Sequence, residues 1–241
     1  MCTVSFFYKG GNDFMLTSNR DEAIGRKTKI PHQDIFQNSR MFYPKDELAG
    51  GTWIGVSENE RLVCLLNGAF QKHLRKDSYR KSRGLIVKEL LAAEDAVLEI
   101  ENYDFNGIEP FTVVLTDWKH GLKLYELIWN EEKAYFTELP LKPKMWNSST
   151  LYTDEMKAIR QTWFGDYFNK KELSYESVLH FHEHYGMGDK DLDLQIDRGL
   201  LKTVSITSFD KRGDDIISVY KDLLNHDEYT ESVRFNVGVS G

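Results

Sequence analysis

Two runs of β-branched and aromatic residues, 3–8 and 14–19, flank the polar, glycine-containing stretch Lys9-Gly10-Gly11-Asn12-Asp13. No other feature constrains the fold as strongly, because a turn of this chemistry between such runs closes a tight antiparallel hairpin. With the turn centred on Gly11, residues whose numbers sum to about 22 stand opposite one another. Cys2 then faces Arg20, with Asp21 adjacent. A second pair of runs, 52–56 and 61–67, joined by Ser57-Glu58-Asn59-Glu60, makes the first 67 residues β-structure. Apolar residues Leu85, Ile86, Leu90, Leu91 and Val97 fall near helical spacing and predict a helix over 83–100. Strands are expected at 111–116, 122–129 and 134–139, and helices at 154–168 and 174–185, the second stopped by Gly186 and Gly188. Strands return at 203–209 and 216–220. This order predicts an α+β layered sandwich with largely antiparallel sheets. The 241 residues are 41% apolar and 13% aromatic, enough for a substantial core; with no repeat or linker, one domain over 1–241 is expected.

Charge and composition narrow the function classes. Thirty-one Lys and Arg against 38 Asp and Glu give a net charge of −7, which argues against nucleic-acid binding by bulk charge. No stretch reaches the roughly 18 apolar residues of a membrane span. The N-terminus has no basic start, apolar run or small-residue cleavage site, and Cys2 and Cys64 are too few for a disulfide framework. A cytoplasmic protein is therefore expected. No glycine-rich phosphate loop, GxSxG elbow or HExxH motif is present, and no cofactor is implied. The expected partner is a small-molecule substrate or ligand, and nothing in the chain sets an oligomeric state.

Cys2 carries the most chemistry. Removal of Met1 would leave its α-amine, with a pKa of about 7.7–8, beside a thiol of about 8.5, so the residue would hold its own base. Free cysteines are also commonly small buried residues, which is the plainer reading. The polar block Asn19-Arg20-Asp21-Glu22 ends an otherwise apolar strand; a strand end meeting water needs no further reason. Beside an N-terminal Cys, however, Arg20 would favour the thiolate and Asp21 would hold the α-amine by a charge-assisted hydrogen bond. Asn67 closes the apolar run Val63-Cys64-Leu65-Leu66, and its amide could donate to a developing oxyanion.

Together, Met1-Cys2-Thr3, Ser18-Asn19-Arg20-Asp21-Glu22 and Ala49-Gly50-Gly51-Thr52-Trp53-Ile54-Gly55 resemble the NRDE, or transport and Golgi organisation, family. Leu66-Asn67, Ser82-Arg83-Gly84 and, more loosely, Asn147-Ser148-Ser149 support the resemblance. That family in turn is similar to N-terminal-nucleophile hydrolases of the choloylglycine hydrolase and penicillin acylase group. The resemblance implies a four-layer αββα sandwich and cleavage of an amide or acyl bond by Cys2, with Arg20, Asp21 and Asn67 catalytic. It implies substrate contacts from Asn19, Glu22, Arg83 and Asn147, although the family's Ser-Asn order is reversed here as Asn147-Ser148. A late basic residue finds only Lys202. It equally implies a second class of function, a non-catalytic carrier for haem, lipid or acyl-CoA on the same fold.

Other signals have plainer explanations. On a helix, His180 and His184 share a face while His182 points away, so surface histidines at a helix C-terminus are expected rather than a metal site. Asp189, Asp191 and Asp193 alternate as in a calcium loop but lack its Gly and Glu. The basic residues Lys72, His73, Arg75, Lys76, Arg80 and Lys81 lead into Arg83 as a solvated loop or, more sharply, an anion site at a helix N-terminus.

Overall fold

The computed structural model describes residues 3–235. It opens with β1 (Thr3–Gly10) and β2 (Asp13–Ala23), the predicted hairpin. Paired residue numbers sum to 22 from Thr3–Asn19 to Tyr8–Phe14, and a one-residue shift precedes the Gly10–Asp13 pair. Four strands follow: β3 (Thr28–Phe36), β4 (Ser39–Asp46), β5 (Ile54–Ser57) and β6 (Arg61–Asn67). Helices α1 (Arg83–Ala92) and α2 (Ala96–Asn102) separate these from β7 (Phe111–Asp117), β8 (Lys123–Trp129) and β9 (Ala134–Leu139). The short β10 (Lys144–Asn147) leads into α3 (Asp154–Lys170) and α4 (Tyr175–His184). The remaining strands are β11 (Asp197–Arg198), β12 (Leu201–Arg212), β13 (Asp215–Asp222) and β14 (Asp227–Val233).

These strands form two antiparallel sheets. One runs β10-β1-β2-β12-β13-β14, with β11 attached to β12; the other runs β3 to β9 in chain order. Between them lies the main core, where Val4, Phe6, Phe14 and Leu16 of the first sheet meet Phe42, Val56, Leu62 and Val114 of the second. Phe42 meets Phe209 edge-on across this layer, with ring centres 6.4 Å apart. Helix α1 lies on the second sheet against β4, β5 and β6, while α4 covers β2 and β12 and α3 packs on β10. The result is the expected αββα sandwich.

Because β1 and β2 are covered on both faces, their side chains do not alternate between apolar and exposed. Phe6 and Leu16 enter the inter-sheet core, whereas Phe7 and Met15 join Phe164, Val178 and Phe181 beneath the helices. Burial on both sides contributes roughly 1.5–3 kcal/mol for each fully buried large apolar side chain, and fixes the register, since a one-residue slip would exchange the two faces.

Three features differ from the sequence expectation. The helix expected over 83–100 is two helices, because Asp95 accepts from Val97 N (2.9 Å) and Leu98 N (3.1 Å) and so caps a fresh start. Strands β3, β4, β10 and β14 had no clean apolar pattern, as β3 contains Pro31 and polar residues on both faces and β14 is largely exposed. Strand β12 also extends well beyond 203–209 at both ends.

Candidate active site

The polar block at the end of β2 is divided by the pleat, which sends successive side chains to opposite faces. Arg20 turns into the inter-sheet layer, where only 2% of it is exposed. It donates to Thr28 Oγ1 (2.7 Å) and Asp46 Oδ2 (3.0 Å), and its guanidinium lies 4.3 Å from the centre of the Trp53 ring. Arg26 Nε also donates to Asp46 Oδ2 (2.6 Å), and Glu22 lies 3.9 Å from Arg20 and 3.8 Å from Arg26. Burial lowers the Arg20 pKa, against the pull of Glu22 and Asp46. Burial opposes ionisation of Asp46, but the Ala49 N–H and the two arginines outweigh it and hold its carboxyl below the usual range.

Asn19 and Asp21 point the other way, beneath the helices. The Asn19 amide donates to His182 O (3.1 Å) and Leu194 O (2.8 Å), which identifies its nitrogen. Its Oδ1 therefore accepts from His182 Nδ1–H (2.7 Å), leaving His182 Nε2 to accept from Ser5 Oγ (2.7 Å). All three residues are fully buried. This corrects two expectations: Asn19 holds α4 to the sheet rather than lining a substrate cavity, and His182 is not a surface histidine. Asp21 accepts from Tyr152 OH (2.7 Å) and Thr203 Oγ1 (2.5 Å). Asn147 lies opposite Thr3 in the β1–β10 ladder, and its Oδ1 accepts from Arg160 Nη1 (3.1 Å).

A cavity of about 450 Å³ opens where Arg20, Glu22, Trp53, Asn67 and Arg83 converge. Asn67 ends β6; its carbonyl accepts from Ser148 Oγ (2.6 Å), so Asn147 and Asn67 come to the same end of the molecule. The β4–β5 loop and the start of α1 form one wall. They meet backbone to backbone, since a Cβ on Gly51 would stand 2.5 Å from the Gly84 carbonyl carbon. Trp53 is 4% exposed, and its indole N–H has no hydrogen-bond partner among the described residues.

The structure largely neutralises the basic loop. Arg83 pairs with Glu109 (3.1 Å) and donates to Pro110 O, Lys76 pairs with Glu131 (2.7 Å), Lys81 with Glu89 (2.7 Å) and Arg80 with Asp104 (3.4 Å). Ion pairing thus replaces the free anion site. Lys202 pairs with Asp197 (3.0 Å) and does not line the cavity. Asp189 and Asp193 accept from nearby backbone N–H groups, as turn residues do. Among the described residues no group of three or more His, Cys, Asp or Glu is arranged to hold a metal, and no helix is long and apolar enough to cross a membrane. Cys2 lies outside the described residues. Cys64 is fully buried, and burial pushes its thiol up to about 12, which makes it a poor nucleophile.

Sequence reasoning missed Arg160, His182 and Tyr152. The signal for the first two was periodicity: Arg160 falls in step with Phe164 and Tyr167, and His182 with Val178, on the apolar stripes of α3 and α4.

Two antiparallel sheets packed face to face between helices define the fold class of the N-terminal-nucleophile hydrolases. Solved structures of that fold are similar over most of their length. A variant of the conjugated bile acid hydrolase of Clostridium perfringens matches with a TM-score of 0.57 at 10% identity, covering 98% of this chain and 97% of the other. Penicillin V acylase from Agrobacterium tumefaciens matches at 0.52 and 12% identity, covering 96% and 86%. The N-acylethanolamine-hydrolyzing acid amidase ortholog of Caenorhabditis elegans matches at 0.56 and 11%, covering 86% and 92%. No curated protein matches the sequence. The chain belongs to the Transport and Golgi organisation 2 (TANGO2) family, whose model matches residues 1–226.

Proposed function

We propose that this protein hydrolyses an amide or ester bond of a small molecule, with Cys2 as an N-terminal nucleophile. The observation that carries the reading is the convergence of Arg20 of β2 and Asn67 on one cavity, with Asp21 held on the other face of β2. The names of the three fold neighbours, a hydrolase, an acylase and an amidase, are in keeping with it.

In the proposed reaction Met1 has been removed. The α-amine of Cys2 takes the thiol proton, the thiolate attacks the acyl carbon, and the C–S bond forms. The positive charge of Arg20 favours the thiolate, and Asp21 orients the ammonium. Asn67, whose side-chain amide makes no hydrogen bond among the described residues, donates to the oxyanion. The tetrahedral intermediate collapses, the amine or alcohol leaves with the proton from the ammonium, and water then cleaves the thioester to give a carboxylic acid. Each step balances without an external reductant or oxidant.

The test uses protein whose intact mass shows loss of Met1, with p-nitrophenyl butyrate as a generic acyl probe. A burst of nitrophenol and steady turnover are expected, with both abolished by Cys2→Ala. Undiminished turnover in that variant would sink the nucleophile assignment, and retention of Met1 in active protein would remove the proposed base.

A further inference from the structure

Asp21 is buried at the end of β2, and each of its carboxylate oxygens accepts a hydroxyl from a different part of the chain. Tyr152, in the segment before α3, donates to Oδ2 (2.7 Å), and Thr203 of β12 donates to Oδ1 (2.5 Å). Both donors are themselves held in place. Thr203 stands opposite Asp21 in the β2–β12 ladder, and its Oγ1 accepts from Ile196 N (2.9 Å), which leaves its hydrogen for the carboxylate. The register shifts immediately afterwards, between Thr203 and Ser205, an irregularity of the kind that re-aims a side chain. Tyr152 N donates to Ser148 O (3.2 Å), and its ring packs with Ile196. Two guanidinium groups lie over that ring, Arg160 at 3.7 Å and Arg198 at 5.6 Å. Arg160 is fixed in turn by Leu192 O (2.8 Å) and Thr3 Oγ1 (2.7 Å), while Arg198 holds the preceding carbonyl, Leu151 O (3.2 Å). A carboxylate held by one donor can still turn about that contact. Two donors, one on each oxygen, fix its plane.

We propose that Tyr152 and Thr203 are positioning residues that fix the Asp21 carboxylate in the one orientation that meets the α-amine of Cys2. They act only through Asp21. The catalytic consequence rests on the acyl-transfer reading above: Asp21 stabilises the ammonium that forms when the amine takes the thiol proton, and so favours the thiolate. A carboxylate free to turn away would leave that proton on sulfur.

The test uses mature protein that begins at Cys2. Alkylation of Cys2 by iodoacetamide at pH 7, followed by mass spectrometry, reads the thiolate with no substrate present. Tyr152→Phe and Thr203→Val should each slow it about 10-fold, the scale of one lost hydrogen bond to a charged group. With p-nitrophenyl butyrate, kcat should fall by a similar factor with KM little changed. Thr203→Ser, which keeps the hydroxyl, should recover most of both rates. Asp21→Asn sets the floor, and adding Tyr152→Phe to it should cost nothing further. Unchanged alkylation in both hydroxyl variants, with or without a lower melting point, overturns the positioning role. Losses that multiply on the Asp21→Asn background overturn it too, since the tyrosine would then act by another route. If alkylation responds as expected while wild-type protein does not turn over the ester, the acyl-transfer reading falls and the positioning role stands. Tyr152→Phe keeps the ring and its packing, so it carries the test should Thr203→Val fail to fold.

Discussion

The two faces of β2 treat a buried arginine in opposite ways. Between the sheets, Arg20 is met by Asp46, with Glu22 close by, and stacks on Trp53. Beneath the helices, Arg160 is held by carbonyls, a hydroxyl and an amide, with its charge unanswered by any acid among the described residues. The first arrangement is a buried ion pair, in which attraction offsets much of the desolvation. The second spends its hydrogen bonds on orienting neutral groups and leaves a positive field behind. One face secures a charge at a cavity, and the other uses a charge to aim its neighbours.

Three changes break or sharpen this contrast. Asp46→Ala should be the most damaging, since it leaves Arg20 buried without its strongest acceptor and frees the Leu48 and Ala49 N–H groups. Loss of one partner of a buried pair costs about 3–5 kcal/mol, measurable as a lower urea midpoint; a drop well under 1 kcal/mol would mean that Arg26 and Glu22 take over. The second effect depends on pH. Burial, reinforced by the Arg160 charge, lowers the His182 pKa from 6.5 to about 3. As pH falls through that window the unfolded chain binds a proton that the native state refuses, so stability declines on acidification by up to about 1.4 kcal/mol per unit. His182→Gln should flatten the curve between about pH 6 and 4; an unaltered slope would show that other groups cause it. The smallest effect belongs to the rim, where Lys76→Ala should leave the urea midpoint unchanged because the ammonium end of its pair with Glu131 is exposed and screened by water. A clear loss there would mean that the basic loop supports the cavity.

Much of the frame was legible because it followed from local chemistry. The Gly10-Gly11 turn and its apolar arms determine the hairpin, and the observed register agrees with the residue-number rule from Thr3 to Tyr8. The division of Asn19-Arg20-Asp21-Glu22 between two faces also follows from strand geometry, but which face met helices and which met a sheet depended on long-range packing. That is why Asn19 looked like a ligand contact and is a bond to α4. Arg83 looked free for an anion, but its acid partner, Glu109, lies in a distant stretch that no local pattern connects to it. The break before α2 was missed because Leu90, Leu91 and Val97 keep an apolar rhythm across it, while a single carboxylate at Asp95 starts the new helix.

The seam at Gly51 and Gly84 has a consequence for how such a cavity can diverge. Because the loop and the helix touch through bare backbone, neither segment can acquire a side chain there without displacing the other. Changes that reshape the chamber are therefore expected along Arg75, Lys76, Asp77, Ser78 and Tyr79, which line it from a stretch without regular secondary structure. New contents would be admitted by rewriting that stretch, with the seam carried along unchanged.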